Sequence, residues 1–371
     1  MVDGKCPHHD KPPKVLKEEN YFFKLSKYSD AIKKAIETDE LKVLPESRKN
    51  EILGIIGDEG LKDVSFSRPK DLLPWGIDVP GDDSQVMYVW CDALSNYITG
   101  IGFGESEDPD SGSELFDEFW PCDAHVIGKD ILRFHAGIWI GMLMSAGLSL
   151  PKAVYVHGFV TSEGKKMSKS SGNVVDPVEY VGKYGVSALR YYLMREIPTG
   201  DDGDFSKRRF EELYNSELAN SYGNLVNRVC MMVDRYLGGV VCGKAENKEL
   251  SLKIESVWAD YENGMSNFNI KGALEAVVGL LDYANKYVEE QKPWSLAKTD
   301  EDSLSFVLYN LLEMVRNISL MLWPVIPAKA GEVLAGLGID ACEGYDERFG
   351  YLKDGDKIMK GEPLFPRLES L

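Results

Sequence analysis

The hydrophobic pattern changes period once, near residue 210, and that change decides which architectures are open to the chain. Before it, three short apolar runs, Val86 to Trp90, His125 to Ile127 and Ala153 to Val160, are separated by segments long enough for crossover helices. Such runs predict buried parallel strands. Between the last two, Ile131 to Ala146 is apolar on nearly every side (Leu132, Phe134, Ile138, Trp139, Met142, Leu143), as expected of a helix packed inside an α/β layer. Three strands amount to half of a doubly wound fold. No Gly-rich strand-to-helix turn precedes them, so a complete six-stranded sheet cannot be assembled from this sequence. After residue 210 the spacing turns helical: Leu218, Tyr222, Leu225, Val226, Val229 and Val233 form one stripe. Ile270, Ala273, Leu274, Val277, Val278 and Leu281 form a second, and Leu304, Val307, Leu308, Leu311, Leu312 and Val315 a third. Three amphipathic helices predict a bundle.

At 371 residues the chain exceeds what one growing core accommodates, so two or three domains are expected. Upstream of the strands, Tyr28 to Leu61 reads as two helices separated by Pro45, and Leu72 to Asp82, dense in Pro and Gly, as an irregular connection. The six cysteines are scattered, and most read as reduced core thiols. No apolar run approaches the roughly 20 residues that span a bilayer, so no membrane partner is expected and the cytoplasm is the default address. A net charge of -18 argues against indiscriminate nucleic-acid binding, although local strips such as Lys207, Arg208 and Arg209 remain candidates beside the plainer reading of solvated surface.

Four stretches carry candidate chemistry. Gly164 to Asn173 is a basic, Gly- and Ser-flanked loop after a predicted strand. Its lysines can close over a polyphosphate and neutralise charge building on a departing pyrophosphate, where a solvated loop is the alternative. In Val126 to His135 a strand ends, Gly128 allows close backbone approach and a helix begins, which makes a ready anion site. Tyr88 to Tyr97 lies at the C-terminal end of a predicted strand, where ligands of such sheets bind. Asn224 and Arg228 share one helix face, and Trp294 follows Pro293. Asn and Arg can read base edges and tryptophan can stack on a base, or the three can be a cap and ordinary surface polars. Cys6 and His9 have metal-ligand spacing but are only two of the ligands a tetrahedral zinc needs.

Lys166 to Ser170 reproduces letter for letter the Lys-Met-Ser-Lys-Ser sequence of class I aminoacyl-tRNA synthetases. The Trp90 to Tyr97 and Gly128 to His135 stretches, and Glu18 to Tyr28 after Cys6 and His9, resemble methionyl-tRNA synthetases in particular. The resemblance runs from Cys6 to about Arg367. It implies an α/β partial Rossmann-like class I synthetase domain followed by an all-α anticodon-binding helix bundle. The implied division is 1–84, remainder of a zinc knuckle and connective insertion; 85–160, second half of the Rossmann catalytic domain; 161–210, Lys-Met-Ser-Lys-Ser loop and stem-contact region; and 211–371, anticodon-binding domain.

The implied activity is that of a methionine-tRNA ligase: ATP-dependent formation of methionyl-adenylate, then transfer to tRNA(Met). Lys166 and Lys169 would be the catalytic cations. Gly128, Lys129, Asp130, Lys166, Met167, Ser168, Lys169 and Ser170 would bind ATP with Mg2+. Trp90, Ala93, Leu94, Tyr97, Ile131 and His135 would border methionine, Leu94 standing where some members have proline. Aromatic walls suit a thioether, because sulfur packs well against ring edges. Asn224, Arg228 and Trp294 would read the anticodon. Cys6 and His9 would be half of a zinc site whose other ligands are absent, so zinc is expected only in the full-length protein.

The sequence departs from the family in one respect: no His-Ile-Gly-His or close variant occurs among its five histidines. Half the ATP site is therefore expected to be missing and the isolated chain inactive. Three explanations stay open: a split gene whose N-terminal half is a separate chain, a start assigned too late or a cropped chain, and a non-catalytic tRNA-binding remnant. A synthetase for leucine or cysteine fits less well with Trp90, Tyr97 and His135 together.

Overall fold

The computed structural model describes residues 18–105, 112–167, 172–243, 247–341 and 349–368. They form two compact units, Met1–His157 and Gly158–Leu371.

In the first unit a parallel sheet has the order Lys42–Leu44, Ala153–His157, His125–Gly128. The central strand buries Ala153, Val154, Tyr155 and Val156, which is why its sequence shows no polar alternation. The helices Ser29–Glu37, Glu46–Ile56 and Ile140–Ala146 supply Ile32, Ile36, Ile52, Ile56, Ile140 and Leu143 to the core that includes Val43, Val154 and Val156. The two helices expected around Pro45 are present.

Two of the three expected parallel strands hold, and the third is a correction. The Val86 to Trp90 run splits. Asp82–Met87 pairs antiparallel with Ser67–Pro69 and Asp78–Val79 in a separate sheet, and Trp90 lies in the helix Val89–Thr99. Asp82, Asp83, Ser84 and Gln85 are too polar for a strand covered on both faces, and a Pro80-Gly81 turn folds the segment into a hairpin. The sheet's third strand is Lys42–Leu44, whose only buried residue is Val43, too little for an apolar run to be visible. The Ala153 to Val160 run also divides: Val160–Ser162 belongs to a different sheet. The boundaries expected at 84/85 and 210/211 fall within the strand Asp82–Met87 and the helix Lys207–Leu213.

The second unit opens with a sheet of order Lys165–Lys166, Val160–Ser162, Gly203–Phe205 and continues through helices Pro177–Tyr184 and Val186–Arg195. Lys207–Leu213 runs through a π-helical stretch, Tyr214–Gly223, into Asn224–Leu237. Helices Lys248–Ser266, Ile270–Gln291, Glu301–Leu322 and Pro327–Gly336 complete the bundle. Three of these helices begin where a side chain accepts a free backbone N–H: Asn247 from Leu250, Asn269 from Gly272 and Asp300 from Ser303. All three expected stripes point into one core, with Ile270 half-buried at its edge and Val278 half-buried outside it.

Glu301–Leu322 is buried along most of its length and carries polar groups inside. Each makes a bond there: Asn310 donates to Tyr287, Trp258 donates to Asn317, and Ser319 pairs with Tyr222. Glu313 accepts twice from Arg316 and, at 2.7 Å, from the Leu352 backbone N–H. Removing one member of a buried ion pair leaves the other uncompensated. Glu313→Ala is therefore expected to destabilise this unit by about 3–5 kcal/mol, and the Glu313→Leu, Arg316→Met double substitution by much less. Urea unfolding followed by circular dichroism measures both, and equal losses would contradict the argument.

Candidate functional site

In the first unit an aromatic cage forms where the helix Val89–Thr99 meets the segment after strand His125–Gly128. That segment begins with a 3-10 turn, Lys129–Ile131, and then widens into a π-helix over Phe134–Trp139. The wide turn sets two consecutive residues against one ring. Phe134 stacks on Trp90 with centroids 4.0 Å apart, and His135 meets Trp90 edge-on at 6.2 Å. Such π-helical bulges gather at functional sites.

His135 is fully enclosed, and both ring nitrogens are used. Nδ1 lies 3.0 Å from the Ile131 carbonyl oxygen, which can only accept, so Nδ1 carries the proton. Nε2 then accepts from the Tyr97 hydroxyl at 2.9 Å. Burial lowers the His135 pKa, which favours this neutral form. Behind it, the Trp139 indole N–H donates to His125 Nε2 at 3.1 Å, and the Tyr97 ring lies 4.2 Å from the His125 ring. Burial, reinforced by His135, pushes His125 down to about 4. Burial raises the Cys122 thiol, whose sulfur lies 3.8 Å from His125. It is a closed wall, not a nucleophile.

Of the expected methionine-site residues, Trp90, Tyr97 and His135 are thus gathered into the cage, with Ile131 bonded to His135 through its carbonyl. Leu94 is 1% exposed and packs into the core, and Ala93 is half-buried on the same helix. Gly128, Lys129 and Asp130 form the turn between strand and helix, Asp130 exposed and the other two half-buried. Sequence reasoning missed Phe134, His125 and Trp139 as cage members. The four-residue step from His135 to Trp139 was the available signal, but the π-helical shift that adds Phe134 has no sequence mark.

In the second unit Lys165 and Lys166 are exposed on a short hairpin strand paired with Ser162 and Thr161. The Asn173 side chain donates to the Lys166 carbonyl at 3.2 Å, and Met167 packs toward the core. Ser168, Lys169 and Ser170 lie outside the described residues, as do Cys6 and His9, so their expected roles are not placed. Among the described residues no group of three or more His, Cys, Asp or Glu is poised to hold a metal ion.

On the bundle, Arg228 and Trp294 come together: the guanidinium carbon is 5.8 Å from the indole centroid, while its Nη2 pairs with Glu289 at 2.7 Å. Trp294 is 37% exposed, and Asn224 is half-buried one turn before Arg228. Glu289 was not foreseen. The Lys207, Arg208 and Arg209 strip is largely neutralised, since Lys207 faces Glu211, Arg208 pairs with Glu212, and Arg209 makes two bonds to Glu196.

A parallel sheet with an aromatic cluster after one strand, a helical bundle and, in the sequence, a Lys-Met-Ser-Lys-Ser segment are the features of a class I tRNA synthetase. A family model described as tRNA synthetases class I (M) matches residues 1–230, and one described as the anticodon binding domain of methionyl tRNA ligase matches 238–370. The methionine–tRNA ligase of Clostridium perfringens is 44% identical over 377 residues, covering 100% of this chain and 57% of that protein. That of Bacillus subtilis is 41% identical, with 56% of its length covered. The chain thus spans a little over half the length of these relatives. The free Mycobacterium tuberculosis methionyl-tRNA synthetase superposes with a TM-score of 0.87 at 36% identity, covering 100% of this chain and 74% of that one. The same enzyme bound by methionyl-adenylate gives 0.85 at 37%, covering 98% and 72%. The chain belongs to the methionyl-tRNA synthetase family. No helix among the described residues is long and apolar enough to cross a membrane.

The buried neutral His125 makes a pH prediction. Unfolded, it takes up a proton near 6.5, and folded only near 4. Between those values the unfolded chain binds more protons, so stability falls as pH drops from 6.5 toward 4. The contribution is on the order of 3 kcal/mol. Comparing wild type with His125→Gln, which keeps an acceptor for Trp139, at pH 7.5 and 4.5 checks it: the variant should lose less on acidification. Equal losses would refute the assignment.

Proposed function

We propose that the chain is the part of a methionine-tRNA ligase that holds the methionine side chain, contacts the triphosphate and reads the tRNA anticodon. The observation that carries this reading is the cage of Trp90, Tyr97, Phe134 and neutral His135. Its ring edges suit a thioether, and its lack of charge excludes polar competitors of similar length. In the reaction, a methionine carboxylate oxygen attacks the α-phosphorus of ATP. The bond to the β-phosphate bridging oxygen breaks, and pyrophosphate leaves. Lys166 and Lys169 neutralise the charge that grows on it, while Gly128, Lys129 and Asp130 face the adenylate. A terminal-ribose hydroxyl of tRNA(Met) then attacks the methionyl carbonyl and releases AMP. Mg2+ would neutralise charge on the phosphates, and Cys6 and His9 would be two ligands of a zinc site whose other ligands this sequence does not provide.

The sequence has no His-Ile-Gly-His, so a further segment supplies that half of the ATP site. Methionine-dependent pyrophosphate exchange tests this. The purified chain alone should be silent, and mixing it with the N-terminal segment of a methionine–tRNA ligase should restore exchange. Lys166→Ala should lower the restored rate by about 100-fold. Robust exchange by the chain alone would overturn the requirement for a second segment.

The Arg228 and Trp294 pair favours a second reading, a tRNA-binding module without catalysis. On either reading Trp294→Ala should weaken binding of a tRNA(Met) anticodon stem-loop by about tenfold or more, as loss of a stacking platform does. Lys169→Ala should leave that binding nearly unchanged. Equal losses in a filter-binding titration would count against anticodon reading, and silence in every exchange mixture with intact tRNA binding would select the module.

A further inference from the structure

The hairpin that presents Lys165 and Lys166 is held by an acidic strand. Val160–Ser162 runs parallel to Gly203–Phe205, with Thr161 opposite Asp204, and antiparallel to Lys165–Lys166, with Thr161 opposite Lys166. The turn places Glu163 at φ 51° and Gly164 at φ 73°, two consecutive left-handed residues of which only the glycine is at ease there. Such a turn keeps its shape only where its surroundings fix it.

Three bonds do so. The Glu163 N–H donates to the Phe205 carbonyl at 3.2 Å, and the Glu163 carboxylate accepts from the Lys207 N–H at 3.3 Å. Asp204 Oδ1 accepts both the Gly164 N–H at 2.7 Å and the Thr161 hydroxyl at 2.6 Å. Asp202 accepts the Phe159 N–H at 2.8 Å, and a Cβ at Gly158 would lie 2.1 Å from the Asp201 carbonyl oxygen. Tyr192 steadies the same strand from behind, donating to the Asp204 carbonyl and accepting from the Ser206 N–H. The 201–204 segment therefore grips both ends of 158–164.

We propose that Asp204 is a positioning residue for the hairpin that carries Lys165 and Lys166. By holding the Gly164 amide and the Thr161 hydroxyl it fixes the turn from which Lys165 and Lys166 project, and with it the place of the Lys166 charge. A carboxylate suits the task because it accepts two bonds at one oxygen and donates none. The inference rests on the triphosphate reading only for what the lysines meet.

Hydrogen exchange on the full chain, read at the Gly164 amide, tests the hinge. In Asp204→Ala that amide should exchange about tenfold faster or more, the loss of one charge-assisted bond. In Asp204→Asn, which keeps one acceptor, the rise should be smaller. The Val241 amide, bonded to the Asp356 carbonyl, should not change. Should the alanine variant fail to fold, Asp204→Asn and Thr161→Val carry the comparison. A second arm measures ATP with Mg2+ as protection against tryptic cleavage after Lys165 and Lys166, beside methionine binding by tryptophan fluorescence. Asp204→Ala should need about fivefold more ATP and leave methionine binding unchanged, because losing the bond misplaces the cation by a local opening. Unchanged Gly164 exchange would overturn the proposal, as would equal weakening of both ligands. Absence of ATP protection in the wild type would defeat the triphosphate reading instead, with the exchange result still deciding the hinge.

Discussion

An imidazole buried among rings must satisfy two nitrogens without water, and the first unit is arranged around that demand. His135 meets it with one backbone and one phenolic partner, the Ile131 carbonyl and the Tyr97 hydroxyl. The carbonyl fixes the tautomer, and the tautomer makes Nε2 an acceptor. Tyr97 must then donate, which sets its ring between His135 and His125. His125 solves the same problem with the Trp139 indole. The result is a wall of neutral rings that stays uncharged at ordinary pH because burial disfavours both imidazolium forms.

The helical unit solves the opposite problem. Glu301–Leu322 carries a buried ion pair and several amides through an apolar core, and each must find a partner on a neighbouring element. Asn317 is bonded from Lys248–Ser266, Asn310 to Ile270–Gln291, Ser319 to the π-helical Tyr214–Gly223, and Glu313 to the Leu352 backbone. Apolar packing alone tolerates sliding. These bonds fix the rotation of the central helix against its neighbours, and with it the register that sets Arg228 beside Trp294.

How much was legible in the sequence follows from how each element signals itself. The bundle was legible because its stripes repeat over many turns, and two parallel strands were legible as apolar runs: Ala153–His157 is buried on both faces, and His125–Gly128 buries His125 and Ile127 while its apolar Val126 is exposed. Lys42–Leu44 was not, since a short strand with one buried side chain has no pattern. The Val86 to Trp90 run misled because its apolar residues belong to two elements, the end of a half-exposed hairpin strand and the first turn of a helix. At the site, Trp90, Tyr97 and His135 were foreseen by resemblance. Phe134 was not, because only a π-helical turn brings neighbouring residues onto one ring. Asp204 was invisible for another reason: its partners are a backbone amide and a hydroxyl some forty residues earlier.

Charge bears on the tRNA reading in a way that composition alone misstates. A chain of net charge -18 repels phosphate at long range, yet the bundle is not short of arginine. Several arginines of this unit are spent internally: Arg195 on Glu217, Arg209 on Glu196, Arg228 on Glu289. An RNA that engages Arg228 has to displace a carboxylate already 2.7 Å away. Exchanging one anionic partner for another releases few counterions, so such contacts contribute less salt dependence and less non-specific affinity than free lysines would. What they retain is geometry, a guanidinium held beside an indole face, where an unstacked base can lie on the ring and be contacted at its edge. On the proposed anticodon reading, paired arginines on an acidic chain would therefore favour the shape and edge of a base over the backbone that all nucleic acids share.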